Sequence, residues 1–312
     1  MTDKPAEQRT EASESVRTVI VAILVNVAIA AAKCVASIVT GSAAMTAEAI
    51  HSAVDAGNSA LLMVGLRRST KPADERHPFG YGREIYFWSL VVAVVIFGAG
   101  GVAAIWEGIS RFSEPPGLQN LQWSYWVLGI ALIFEGVSWR VAYRALRKEY
   151  PGISPFVAAG RSKDPSLFVV VFEDSAAIVG LLIALAGTFG ATLFPSAHFD
   201  AIASLLIGTL LIATAVFLMN RTRSLLVGES ADEQIVSGIY ELLTADPRIA
   251  SVQRVLSAQM SPENLLLNLD LRFDPRVVGN DMPEAIQSID KAIRNRFPAV
   301  KEVFIEVQAL SR

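Results

Sequence analysis

With 312 residues, a mean hydropathy of +0.43 and a net charge of −3, the chain is too apolar for a soluble domain and carries no patch of the kind that binds nucleic acid. A single cysteine, Cys34, excludes an intramolecular disulfide and any thiolate cluster, and small packing in the first helix is its expected role. Three histidines and no His-Glu-x-x-His run exclude the zinc helix of an intramembrane metalloprotease, so the chain is not read as an enzyme and no cofactor is expected.

The residues up to Arg17 are polar, of mixed charge, and lack a small-residue cleavage site after a short apolar core. The apolar segment beyond Arg17 is therefore expected to be a retained span and not a signal peptide. At 1.5 Å per residue, about 20 residues cross a hydrocarbon core of roughly 30 Å. Segments of that length run over about 18–40, 43–66, 85–108, 122–145, 166–190 and 200–220. Lys4, Arg9 and Arg17 precede the first span, Arg67, Arg68, Lys71, Arg76 and Arg83 surround the second connection, and Arg140, Arg144, Arg147, Lys148, Arg161 and Lys163 flank the fourth. The opposite side holds Arg111 alone, so the positive-inside rule places both termini in the cytoplasm. A bacterial inner membrane is the expected location.

From about Glu229 the composition turns to that of a soluble domain. Asp232–Asp246 reads as an amphipathic helix and Ser251–Gln259 as a strand. Leu265, Leu267, Leu269, Leu271 and Phe273 then alternate with Leu266, Asn268, Asp270 and Arg272, the period of a half-buried strand. Pro283–Phe297 reads as a second helix and Glu302–Ala309 as a last strand, an α-β-β-α-β order consistent with a small α+β domain. The expected organisation is a polar tail over 1–17, a six-helix membrane domain over 18–225 and a C-terminal domain over 226–312.

The second span carries Glu48, His51 and Asp55, three and then four apart, so their side chains share one face. An acidic residue at the centre of a bilayer costs roughly 2.5–3.5 kcal/mol by insertion scales, and a chain that keeps such groups uses them on a polar or metallic cargo. Counted from Ala43, Asp55 lies about 18 Å into its helix; counted from Pro165, Asp174 lies about 14 Å into the fifth. Glu135 lies about 18 Å into the fourth. Two carboxylates and an imidazole at one depth suit a four-coordinate zinc-like ion. The bland alternative is an interhelical hydrogen-bond cluster that only holds the bundle.

These residues, with the loop Pro72-Ala73-Asp74…His77-Pro78-Phe79-Gly80 and six spans before a small α+β domain, resemble the cation diffusion facilitator (cation efflux) family. Asn26, Lys33, Gly41, Ser42, Glu107, Arg111 and Asp200 fit the same pattern. The resemblance implies a homodimer with a cytoplasmic ferredoxin-like domain that exchanges divalent metal for protons. It further implies a site with two ligands from the second span, matched by His51 and Asp55, and a His plus an Asp from the fifth. Asp174 matches the latter Asp, whereas Val170 stands where the His would be. The Phe172-Glu173-Asp174 run, with Glu135 and Ser138, is similar to the branch of mitochondrial zinc transporters.

Glu173 is then open to three readings: ligand, proton acceptor or structural residue. Glu48 is either an external relay or a partner for Lys33. Glu135 either binds a proton or shapes the site. Asp74 and His77 form either a secondary metal site, weakened because Tyr81 stands where a further His would be, or a turn at the membrane surface. His198 reads as a solvated loop residue. Zinc is the first expectation for the cargo, with iron(II), manganese and cobalt as alternatives. A membrane-anchored scaffold or signalling protein is the rival of another class, and it leaves the midplane charges unexplained.

Overall fold

The computed structural model describes residues 26–113, 120–194, 196–277 and 281–308. The polar tail 1–17 and the opening of the first span lie outside the described residues. Helix α1 runs Asn26–Thr40, α2 Ala43–Ser69, α3 Glu84–Ser113, α4 Gln122–Glu149, α5 Pro155–Arg161, α6 Pro165–Leu193 and α7 His198–Val227. Four of them (α3, α4, α6 and α7) are long and apolar enough to cross a membrane. With 27 residues α2 has the length, but its face of Glu48, His51, Asp55 and Asn58 dilutes its apolar character. The short α5 between the fourth and fifth spans had no signal in the sequence, and neither did the π-helical stretch Val92–Phe97 inside α3. Cys34 is exposed on α1, contrary to the expectation of internal packing.

The described residues divide into two compact units, one drawn from 26–64, 88–160 and 165–220, the other from 65–87, 161–164 and 221–308. In the first, small residues let helices approach closely, the usual means of membrane packing. A Cβ added at Gly101 would come within 2.6 Å of Ile212 Cγ1, and one at Gly208 within 2.8 Å of the Gly101 carbonyl oxygen, so α3 and α7 touch through their backbones. Gly100 likewise receives Val54 of α2, where an added Cβ would sit 2.7 Å from Val54 Cγ2. The start of α2 is capped twice. Ser42 Oγ accepts from Met45 N at 3.0 Å, and Asp200 at the start of α7 accepts from Ser42 Oγ and the Ala43 and Ala44 amides. A carboxylate there satisfies orphan N–H groups and complements the positive end of the helix dipole.

The second unit contains the C-terminal α+β domain: α8 Glu233–Thr244, β1 Ile249–Ser261, β2 Asn264–Phe273, α9 Asp281–Arg296 and β3 Val300–Val307. This is the expected element order. The sheet runs β1-β2-β3, with β1 and β2 antiparallel across a tight hairpin and β2 and β3 parallel through the α9 crossover. Leu265, Leu267, Leu269, Leu271 and Phe273 bury one face of β2 against Ile239 and Leu243 of α8 and Ala285, Ile289 and Ile293 of α9. The i, i+4, i+8 spacing on α9 is the apolar stripe of a helix lying on a sheet. Asp232 caps α8 by accepting from Gln234 N at 2.9 Å.

In the same unit Glu229, just after α7, accepts from Lys163 Nζ at 2.7 Å and Arg221 Nη1 at 2.6 Å, while Arg221 Nη2 donates to the Ser162 carbonyl. Partial burial opposes its ionisation, but the two cations prevail and hold its carboxyl below the usual carboxylate range. The loop 70–83 packs on the hairpin of the sheet. A Cβ at Gly82 would come within 2.8 Å of both the Met260 carbonyl oxygen and Ser261 Cβ, and Arg83 Nη2 lies 3.4 Å from Met260 Sδ.

Candidate functional site

Along α2 the residues Glu48, His51, Ser52, Asp55 and Asn58 are all buried, and they make one polar stripe along the helix. His51 Nε2 lies 3.4 Å from Asp55 Oδ2, one helical turn away, with the two side chains 0% and 9% exposed. Neither ring nitrogen of His51 has a hydrogen-bond partner among the described residues, and neither does Asp55 Oδ1. Buried polar atoms are nearly always paired, so orphans gathered on one stripe call for an explanation.

Helix α6 supplies the facing acids. Glu173 and Asp174 are both buried, and the Glu173 carboxyl lies within hydrogen-bonding reach of Asp55. Asp174 Oδ2 accepts from Ser138 Oγ of α4 at 2.7 Å, and Trp139 donates its indole N–H to Ser175 Oγ at 3.0 Å, so α4 and α6 are tied beside the site. Glu135 of α4 is half-buried and close enough to Asp55, Glu173 and Asp174 to interact with all three electrostatically. The carboxylates named from depth alone therefore occupy one neighbourhood. Still, no three His, Cys, Asp or Glu side chains among the described residues are converged tightly enough to form a closed metal cage.

Two residues were not singled out by sequence reasoning. Asn58 donates Nδ2 to Glu173 Oε2, and its spacing of three from Asp55 was the signal that could have found it. Ser52 accepts from Lys33 Nζ at 2.7 Å, and the same Nζ reaches Glu48 Oε2 at 3.0 Å. Of the two readings of Glu48, the structure shows the Lys33 pairing, with both side chains fully buried. The other oxygen, Oε1, has no hydrogen-bond partner among the described residues and faces α6, where a Cβ at Gly180 would meet it at 2.6 Å.

The loop constellation is of a different kind. Asp74 Oδ1 accepts from the Arg76 and His77 amides at 3.0 and 2.7 Å, and Oδ2 accepts from Tyr81 Oη at 2.6 Å. The Tyr81 hydroxyl, followed by the backbone N–H groups of His77 and Arg76, holds the Asp74 carboxyl below the usual range. The His77 ring leans on Tyr81 with centroids 4.2 Å apart, and Gly80 takes φ +80° to close the turn. This is the geometry of an Asx turn, with both carboxylate oxygens accepting hydrogen bonds from within the loop. His198 opens α7 instead of lying in a loop. Its Nδ1 is 2.9 Å from Ser196 Oγ and its ring meets Phe112 edge-on.

The sequence as a whole is similar to those of known proteins. The cation efflux transmembrane domain matches residues 19–227. The proton-coupled zinc antiporter SLC30A9, mitochondrial, of Xenopus laevis is 34% identical over 276 residues, covering 88% of this chain and 49% of the relative. Its counterpart from Homo sapiens is 33% identical over 264 residues, covering 84% and 46%. Metal tolerance protein C4 of Arabidopsis thaliana is 32% identical over 243 residues, covering 77% and 53%. The chain spans about half the length of these curated relatives. The expected placement in a bacterial inner membrane is not supported by these matches, because the SLC30A9 relatives are described as mitochondrial; composition and charge point to a bilayer but do not say which one. With the transmembrane family matched over 19–227 and relatives above 30% identity along most of its length, the chain belongs to the cation efflux family.

Proposed function

We propose that the chain moves a divalent cation across its membrane in exchange for protons, with zinc as the first cargo and His51, Asp55, Glu173 and Asp174 as the transport site. The observation that carries this reading is the His51–Asp55 stripe, buried and with both imidazole nitrogens unpartnered among the described residues. Names of relatives support the cargo and the coupling: two are proton-coupled zinc antiporters.

Cation binding and protonation compete for the same atoms. A bound divalent ion needs neutral His51 and ionised carboxylates, so loading the site releases protons. Uptake of protons by Asp55, Glu173 and Asp174 from the other side weakens the hold on the ion and releases it. Alternating exposure of a fixed midplane site then turns a proton gradient into metal movement. Ser138 steadies Asp174 in this scheme, and Glu135 adds negative potential that draws a cation inward and tolerates a proton. Asp74 and His77 take no part, since the Asp74 oxygens already serve the turn. Pairing of two copies through the C-terminal domain belongs to the same reading.

A second cargo is favoured by one specific feature. Val170 leaves α6 without an imidazole, so the donor set is rich in oxygen, which suits manganese and iron(II) better than an additional histidine would. Flux into proteoliposomes under an imposed pH gradient tests both cargos, with zinc, manganese and iron(II) in parallel for wild type and Asp174→Ala. Zinc flux that collapses with the gradient and in the variant supports the proposal. Manganese or iron flux alone keeps the mechanism and replaces the cargo, and no flux of any ion in folded protein overturns the transport site.

A further inference from the structure

We propose that Asn58 is a further member of the cation site: its amide nitrogen sets Glu173 against Asp55, and its amide oxygen serves the cation as a neutral donor. The inference rests on the reading of His51, Asp55, Glu173 and Asp174 as that site, and it concerns a residue that the sequence pattern left unremarked.

Asn58 follows Asp55 by three residues and His51 by seven, which keeps all three on one stripe of α2. It is 1% exposed, so both ends of its amide must find partners inside the protein. The nitrogen does, donating to Glu173 Oε2 across the α2–α6 interface. The oxygen does not: Oδ1 is buried with no hydrogen-bond partner among the described residues. With Glu173 ionised, as a loaded site requires, exchanging the two ends would set an amide oxygen against a carboxylate oxygen, so in that state the nitrogen is the end that faces Glu173.

The surroundings explain why Oδ1 lacks a donor. It shares a carbon with the nitrogen held by Glu173, and that carboxyl is in reach of Asp55 and under the influence of Asp174 and Glu135. The neighbourhood is one of acceptors. A buried amide oxygen left without a donor in such a neighbourhood is satisfied when a cation arrives. An amide oxygen is a hard, uncharged ligand, and it offers the site a donor where α6 has Val170 in place of an imidazole. Asn58 therefore shifts the balance of the site toward oxygen-preferring ions without adding negative charge.

The test is calorimetric titration of zinc and of manganese into the purified full-length protein in detergent, for wild type, Asp55→Asn, Asn58→Leu and Asn58→Asp. Removing the amide with Asn58→Leu is expected to weaken both ions by about tenfold or more, manganese beyond zinc. Asn58→Asp, which keeps an oxygen in place, is expected to restore binding and raise the preference for manganese over zinc. If Asp55→Asn loses binding while Asn58→Leu binds both ions as wild type does, the Asn58 assignment falls and the site survives. If Asp55→Asn itself binds like wild type, the site reading falls and takes Asn58 with it. Equal weakening of both ions with no recovery in Asn58→Asp reduces Asn58 to packing and overturns the proposal. Should Asn58→Leu fail to fold, Asn58→Asp decides alone: a raised manganese preference supports the donor role, and a wild-type ratio overturns it.

Discussion

Two Asp–His pairs in this chain have a carboxylate oxygen 3.4 Å from a ring nitrogen: Asp55 with His51, and Asp74 with His77. In the first the side chains are 9% and 0% exposed, and three polar atoms have no hydrogen-bond partner among the described residues. In the second they are about half exposed, and both oxygens of Asp74 are occupied by the Tyr81 hydroxyl and two backbone amides. The same two residue types at nearly the same spacing thus serve opposite ends. Water can always satisfy an exposed carboxylate, so the loop pair is free to close a turn. Inside a bilayer the unpartnered atoms have no such recourse, and the cargo proposed above would satisfy them. Spacing alone does not tell the two settings apart; the partners of each atom do.

The contrast is broken most directly by charge removal at each pair. Asp55→Asn is expected to lower cation flux in proteoliposomes more than about 100-fold, beyond the 10–100-fold typical of outer-shell changes. Asp74→Asn is expected to leave flux within about twofold of wild type. Equal effects at the two positions would erase the distinction between site and turn.

The next effect is on stability, at the buried ion pair that Glu48 of the same stripe makes with Lys33. Lys33→Met leaves Glu48 buried and uncompensated, which costs about 3–5 kcal/mol by analogy with other buried pairs. Adding Glu48→Leu to that variant should recover most of the loss, as read by unfolding in mixed micelles. A single variant as stable as wild type would show that Glu48 has another partner.

On the loop side the effects shrink. Gly80→Ala forces a side chain into a φ of +80° and should cost about 1 kcal/mol, seen as a small drop in thermal stability with flux unchanged. Tyr81→Phe removes the hydroxyl that holds the Asp74 carboxyl below its ordinary value of 3.8. A carboxyl lowered by folding contributes stability that is present above its unfolded value and is lost as pH falls through its folded one. The difference in melting temperature between wild type and Tyr81→Phe should therefore be fully present near neutral pH and shrink below about pH 4. A difference that grew on acidification would assign the hydroxyl to some other partner.

Much of this was legible in the residues, for reasons specific to each. Apolar length marks a span, because a helix in lipid must satisfy its backbone internally and cover itself with hydrocarbon. Alternation along Leu265–Phe273 marks a half-buried strand, because a sheet with one covered face admits apolar residues at every second position. His51 and Asp55 were placed on one face because α-helical geometry is independent of context. Cys34 was misjudged and Asn58 passed over for a common reason: the rotation of a helix about its own axis is set by its neighbours. Lys33 and Cys34 are adjacent in the chain, yet one is fully buried and the other exposed.

The chain by itself determined the bilayer spans, the α-β-β-α-β order of the C-terminal domain and the shared face of Glu48, His51 and Asp55. Each depends on distances of a few residues, where backbone geometry leaves little freedom. Tertiary structure alone decided that Asn58 meets Glu173, that Ser138 meets Asp174, that Asp200 caps α2 and that Lys33 claims Glu48. These contacts join residues separated by 15 to 158 positions, and elsewhere in the bundle Gly101 and Gly208 let the backbones of α3 and α7 approach closely. Close packing sums many weak contacts over the whole bundle, and no local pattern of residues encodes that sum.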